Sequence, residues 1–282
     1  MAVKILIDSA SDITIAEGKA LGITVLPIEV NFGGETYMDG ETILADEFYT
    51  KLESANELPK TSQINGYRFE EEFKKHIDNG DEIVYLSLSS KISGTYNNAR
   101  LTAEQFEGKA YAVDTLSATA GMRILALYAL RLVEEGKSAK EIAEELEKKR
   151  SKVRIVAMID TLKYLKMGGR ISSAAAIVGG LMNLKPMISV VDGEVKVIGK
   201  CVGVKKAIQF INQTVKECGG VDMSMPYCDL VSGLDTSNYD KYVESASERY
   251  GDMASNVSAY KLGATIGTHI GPGAVGAVFF AN

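Results

Sequence analysis

The chain has 282 residues, 46% hydrophobic and 24% charged, with a formal net charge of −6. That length suits one or two domains with a full apolar core, and the acidic balance offers nothing to nucleic acid or an anionic membrane surface. No run of about 18 uninterrupted apolar residues occurs, so no membrane span is expected, while Cys201, Cys218 and Cys228 are odd in number and lack C-x-x-C spacing, which fits a reduced, cytoplasmic setting.

Residues 4–8 are apolar, of strand length, and too short a run for a signal peptide. Ser11-Asp12 is expected to cap a short helix through Leu21. Residues 23–32 follow as one strand, with Pro27 marking a sheet edge. Amphipathic helices are expected over 44–52 and 67–77, a strand over 81–88, a helix beyond Ser93 and a strand over 110–114. Residues 121–135 are mostly apolar and helical up to Gly136, and 139–150 form a Glu/Lys-rich surface helix. Alternation of this kind predicts a mostly parallel sheet with helices on both faces.

The second half has a different texture. A strand is expected over 153–159 and a small-residue, buried helix over 174–181. Residues 187–191 and 195–198 flank Asp192-Gly193, which reads as an antiparallel hairpin. A helix over 204–218, strands over 229–234 and 256–262 separated by a helix over 237–249, and a final strand over 274–280 complete the pattern. The expected class is α/β: a parallel-sheet N-terminal domain, residues 1–155, and a mixed or antiparallel α+β C-terminal domain, residues 156–282.

The densest chemistry lies in Ser89-Ser90-Lys91-Ile92-Ser93-Gly94-Thr95, where a strand hands over to a helix. Four hydroxyls meet free backbone N–H groups and the positive end of a helix dipole, which suits a carboxylate or phosphate. Gly94 allows close backbone approach, and capping by Ser93 is the simpler alternative. Asp8-Ser9-Ala10-Ser11-Asp12 is a second such junction, open to a ligand or metal but also explained by capping. Thr61-Ser62-Gln63 presents three hydrogen-bonding side chains, and Arg170 follows Gly168-Gly169 on an expected near-surface turn. His269 lies in a Gly/Pro-rich segment expected to be a loop, whereas His76 sits among Glu and Lys and reads as solvated. The text match to G-x-G-x-x-G at 271–276 leaves only six residues after it, too few for a dinucleotide fold. No P-loop, H-E-x-x-H or G-x-S-x-G occurs.

Together the motifs resemble the DegV family of bacterial fatty-acid-binding proteins. The matching pieces are Asp8 to Asp12, Thr61-Ser62-Gln63, Ser89 to Thr95, Asp114-Thr115, Thr161-Leu162-Lys163-Tyr164-Leu165 with Gly168-Gly169-Arg170, Leu184-Lys185-Pro186, and His269-Ile270-Gly271-Pro272-Gly273. They stand in family order over almost the whole chain. One departure is Ile64, where the family usually has Pro after T-S-Q.

The resemblance implies a two-domain α/β fold holding one long-chain fatty acid between the domains. The carboxylate would be held by Thr61, Ser62 and Ser93, with Arg170 and His269 close by. It further implies a carrier in phospholipid synthesis that presents the acid to a separate ATP-dependent fatty acid kinase, which makes the acyl phosphate. The expected ligand-binding set is Thr61, Ser62, Ser93, Gly94, Thr95, Arg170 and His269, with no catalytic residue, metal or cofactor. Residues 124–133 and 174–181 are candidate tunnel walls. Two other readings remain: a serine esterase or thioesterase using Ser93 and His269, and a phosphosugar or nucleotide binder, which would need a wide polar cleft. The first requires a base within reach of Ser93 and an oxyanion hole beside it.

Overall fold

The computed structural model describes residues 2–55, 57–171 and 183–282. The expected helix over 174–181 lies outside the described residues. The first half opens with β1 (Val3–Asp8), α1 (Ile15–Leu21) and β2 (Ile23–Leu26), followed by β3 (Glu29–Phe32), β4 (Glu35–Met38), α2 (Ala45–Glu53) and β5 (Lys60–Ser62). It continues through α3 (Gly66–Asp78), β6 (Glu82–Ser87), α4 (Thr95–Ala103), β7 (Ala110–Asp114), α5 (Ala120–Glu134) and α6 (Ala139–Lys149). The second half holds β8 (Val153–Met158), α7 (Lys163–Met167), β9 (Leu184–Val191), β10 (Glu194–Val202) and α8 (Val204–Glu217). It closes with β11 (Cys228–Val231), α9 (Ser237–Val243), α10 (Ala246–Tyr250), β12 (Ala259–Lys261), α11 (Ala264–Ile270) and β13 (Val275–Phe280).

The protein is α/β. A four-stranded sheet in the order β2-β1-β6-β7 is parallel throughout. Its central strands are almost continuously apolar because both faces are covered: α3 and α4 pack over β6 and β7, and α5 and α6 over β1, β6 and β7. A six-stranded sheet in the order β10-β9-β8-β13-β11-β12 is antiparallel except for the β11–β12 pair. Helix α5 also touches β8, β11 and β13, so it is shared by both sheets. That explains its apolar character nearly all round.

Strand β8 shows the period-two division of labour. Ile155, Ala157 and Ile159 face the core shared with the first sheet, while Val156 and Met158 face α8 on the other side. The β9–β10 hairpin turns at Asp192-Gly193 as expected, with φ of 51° and 83°, the pair of positive values a type I′ turn requires.

Several local expectations change. Residues 23–32 are two strands in two sheets. Pro27 has no N–H to donate, the ladder of the parallel sheet stops before it, and β3 joins a small antiparallel sheet in the order β4-β3-β5. The cap of α1 is Thr14, whose side chain accepts from the Glu17 N–H; Ser9–Ser11 instead form a 3₁₀ turn. The helix over 237–249 breaks at Ser245, whose Oγ bonds to Asn212 and Arg249 and competes with the helix ladder. His76 is half-buried, 3.3 Å from Thr24 Oγ1. The expected domain boundary after residue 155 falls inside β8.

Candidate ligand-binding site

A cavity of about 310 Å³ lies between the sheets, within the range of sites that take small organic ligands. Its walls are mainly aliphatic side chains: Ile155 and Ala157 from β8, Ile159 just after it, Ile188 from β9, Leu230 from β11 and Ile266 from α11. One region is polar. There β5 and the residue after it bring Thr61, Ser62 and Gln63, the loop before α4 brings Ser93 and Gly94, α11 brings His269, and the turn after α7 brings Arg170.

Local chemistry sets each of these side chains. Thr61 reaches the site because β5 pairs antiparallel with β3, Val30 opposite Thr61. Its Oγ1 lies 3.0 Å from His269 Nε2. Ser93 Oγ donates to Thr95 Oγ1 at 2.9 Å and accepts from the Thr95 N–H at 3.2 Å. Thr95 is fully buried, outside the cavity lining, and holds Ser93 from behind. It is therefore a support for the site rather than a wall of it. Gly94 lies close under Gln63: a Cβ there would sit 1.9 Å from Gln63 Oε1, so a larger residue would have to turn that flexible side chain aside. Arg170 is half-buried, its Nε donating to the Ile92 carbonyl at 3.2 Å and its Nη1 to the Gly168 carbonyl.

His269 stands on α11, in its last turn, and not in a loop; the Gly/Pro-rich run begins after it, with Gly271 at φ 75° ending the helix. Its imidazole is pushed down to about 4, first by burial and then by the Arg170 charge, so it is neutral at pH 7. Its Nδ1 is buried without a hydrogen-bond partner and packs against Gly168, where a Cβ would come within 2.2 Å of it.

The acidic junction after β1 serves the fold. Asp8 accepts from the Tyr85 hydroxyl at 2.8 Å, the Leu88 N–H at 2.9 Å and the Ala10 N–H at 3.1 Å. Asp12 accepts from the Gly263 N–H at 2.8 Å and from the Thr119 hydroxyl. Burial raises Asp8 to about 6 and Asp12 to about 7. Among the described residues no His, Cys, Asp and Glu cluster could hold a metal ion.

Of the expected set, Thr61, Ser62, Ser93, Gly94, Arg170 and His269 converge on one cavity, and Thr95 stands behind it. Residues 124–133 do not line the cavity; they are core between the sheets, and only Ala118 and Thr119, just before α5, reach the lining. The expected wall over 174–181 lies outside the described residues. The wall formed by α11 was not anticipated, although Ile266, His269 and Ile270 already stand at the i, i+3, i+4 spacing of one helix face. The text match at 271–276 runs into β13, a strand, where a dinucleotide motif opens a helix.

Known proteins share this architecture. The profile of the DegV family, described as an uncharacterised protein family, matches residues 2–282. A DegV domain-containing protein of Deinococcus radiodurans is 32% identical over 281 residues, covering 98% of this chain and 97% of the relative. One from Caldanaerobacter subterraneus is 34% identical over 279 residues, covering 99% and 98%. Among solved structures, a DegV family protein of Thermus thermophilus described for its fatty acid binding superposes with a TM-score of 0.88 at 31% identity, covering 100% of both chains. DegV of Bacillus subtilis, described as a fatty acid binding protein, superposes with a TM-score of 0.83 at 27% identity, again covering 100% of both. By its full-length family match and these relatives, the chain belongs to the DegV family.

Proposed function

We propose that this protein binds one long-chain fatty acid, with the carboxylate at Thr61, Ser62, Ser93, the Gly94 backbone and His269, and the tail in the aliphatic cavity. The observation that carries the reading is the asymmetry of that cavity: aliphatic walls, with hydroxyls and a neutral imidazole gathered in one region. A fatty acid has the same asymmetry. Burying about 16 carbons at roughly 0.8 kcal/mol per CH₂ yields on the order of 12 kcal/mol before the costs of association. The tail therefore supplies affinity, and the polar region supplies orientation. The relatives described as fatty acid binding proteins support the same assignment.

The bound acid is presented to a separate fatty acid kinase, with Arg170 beside the head group, and the carrier works in the cytoplasm without a cofactor. The two domains divide near the start of β8, and the ligand lies between them. The hydrolase alternative finds little support, because Ser93 donates to Thr95 and His269 pairs with Thr61, with no carboxylate orienting Nδ1. Mass spectrometry of a denaturing organic extract of purified protein tests the reading. A long-chain fatty acid near one equivalent is expected; repeated lipid-free extracts, with no uptake of added palmitate, would refute it.

A further inference from the structure

We propose that Asp39 is a positioning residue that sets the Thr61–His269 pair, and through it the preference of the site for a carboxylate head group. This inference rests on the fatty-acid reading above.

The two halves of that pair come from elements far apart in sequence. Thr61 is on β5, which pairs with β3, and β3 pairs with β4 through Glu29 and Met38. Asp39 is the next residue after that last pair, and its N–H donates to the Ile28 carbonyl at 3.0 Å. It is thus rigidly part of the sheet that carries Thr61. His269 is on α11. Asp39, only 2% exposed, accepts from the Ala264 N–H at 2.9 Å and the Thr265 N–H at 3.1 Å, the free amides at the start of that helix. The carboxylate also faces the positive end of the helix dipole.

Sheet and helix are therefore tied at both ends of α11. Asp39 holds the N-terminal end, and the Thr61–His269 contact closes the C-terminal end four residues beyond Thr265, about 6 Å along the axis. Helix α11 has little helix propensity of its own: Ala264-Thr265-Ile266-Gly267-Thr268-His269-Ile270 contains a glycine and four β-branched residues. Its place is set by what it is bonded to. A carboxylate offers two acceptor oxygens to two amides, whereas an asparagine offers one oxygen and turns an N–H₂ toward the second amide.

The test separates head-group recognition from general damage by using two ligands with the same tail. Dissociation constants for palmitate and for hexadecanol are measured on the full chain and on Asp39→Asn. The wild type is expected to prefer palmitate. In Asp39→Asn that preference falls by about fivefold or more, the value of one hydrogen bond of about 1 kcal/mol, while hexadecanol affinity changes less than about twofold. A variant that loses both ligands equally, or neither, overturns the proposal. Should the variant not fold, NMR of the wild type decides: the Ala264 and Thr265 amide resonances must shift on adding palmitate and stay in place with hexadecanol, and equal response to both ligands also overturns it. A wild type that binds neither ligand refutes the fatty-acid reading itself, a result distinct from one that binds both without depending on Asp39.

Discussion

Ser93 is the hydroxyl that the proposed reading sets against the ligand carboxylate. Its Oγ is held by the Thr95 N–H and its proton is directed to Thr95 Oγ1, so a ligand carboxylate needs only to attract a hydroxyl whose position is already fixed. Ser93→Ala should weaken palmitate binding by about 1–3 kcal/mol, the loss of one charge-assisted bond, with the thermal midpoint little changed. A variant that keeps full affinity and loses stability instead would reduce Ser93 to a helix cap. Arg170 carries a different expectation. Its guanidinium is anchored to two main-chain carbonyls and half-buried in the cavity lining; a kinase acting on the acid, as proposed above, would find there a cation for the charge that builds on a transferring phosphoryl group. Arg170→Ala should slow acyl phosphate formation by the partner kinase while leaving palmitate affinity within about threefold of wild type, the scale of a partly exposed charge. Wild-type transfer rates in that variant would remove Arg170 from the transfer step.

At the scale of elements, the site depends on how closely α7 and α11 approach. Gly168 ends α7 and lies against the His269 ring, with no space for even a methyl group. Gly168→Ala should displace the imidazole and cost about 1–3 kcal/mol in stability or palmitate binding, as overpacking does. Unchanged stability and affinity would show that the ring adapts freely. The same elements mark where the sequence was readable. Strands β1 and β6 and helices α3, α5, α6 and α8 announce themselves by apolar patterning over six to fifteen residues. Strands β3, β4 and β5 are three or four residues long, too short for alternation to register. Helix α11 is poor in helix formers and exists through tertiary bonds from Asp12 and Asp39, which no local pattern encodes. The hydroxyl loops around Thr61 and Ser93 were legible because their residue types are themselves the chemistry. The depth order of Ser93 and Thr95 was not, since it depends on the direction of side chains one residue beyond a helix cap.

At the scale of the whole molecule, buried ionisable groups between the two sheets give folding a pH dependence. Burial raises Asp8 to about 6, Asp12 to about 7 and Asp39 above its ordinary value. Between about pH 4 and 6 the Asp8 and Asp12 carboxyls hold protons that the unfolded chain has released. Their contribution favours the folded state at low pH and is lost as pH rises through about 6–7. His269 acts in the opposite sense: lowered to about 4, it stabilises the fold above its unfolded value of about 6.5 and loses that contribution as pH falls toward 4. The two carboxyls raised to about 6 and about 7 outweigh one lowered imidazole. The free energy of unfolding in urea should therefore rise as pH is lowered from 8 to about 5, and Asp12→Asn should flatten the rise near pH 7. A stability that declines steadily over that interval would contradict this balance.

The cavity between the sheets, aliphatic with one polar region, is proposed to hold one fatty acid. Native mass spectrometry of the delipidated protein with added palmitate tests it most directly. A single adduct of one palmitate per chain is expected, formed by the wild type and strongly reduced in Ser93→Ala. Absence of an adduct at concentrations well above those expected for such a buried tail, or several weak adducts equally retained by Ser93→Ala, would contradict it.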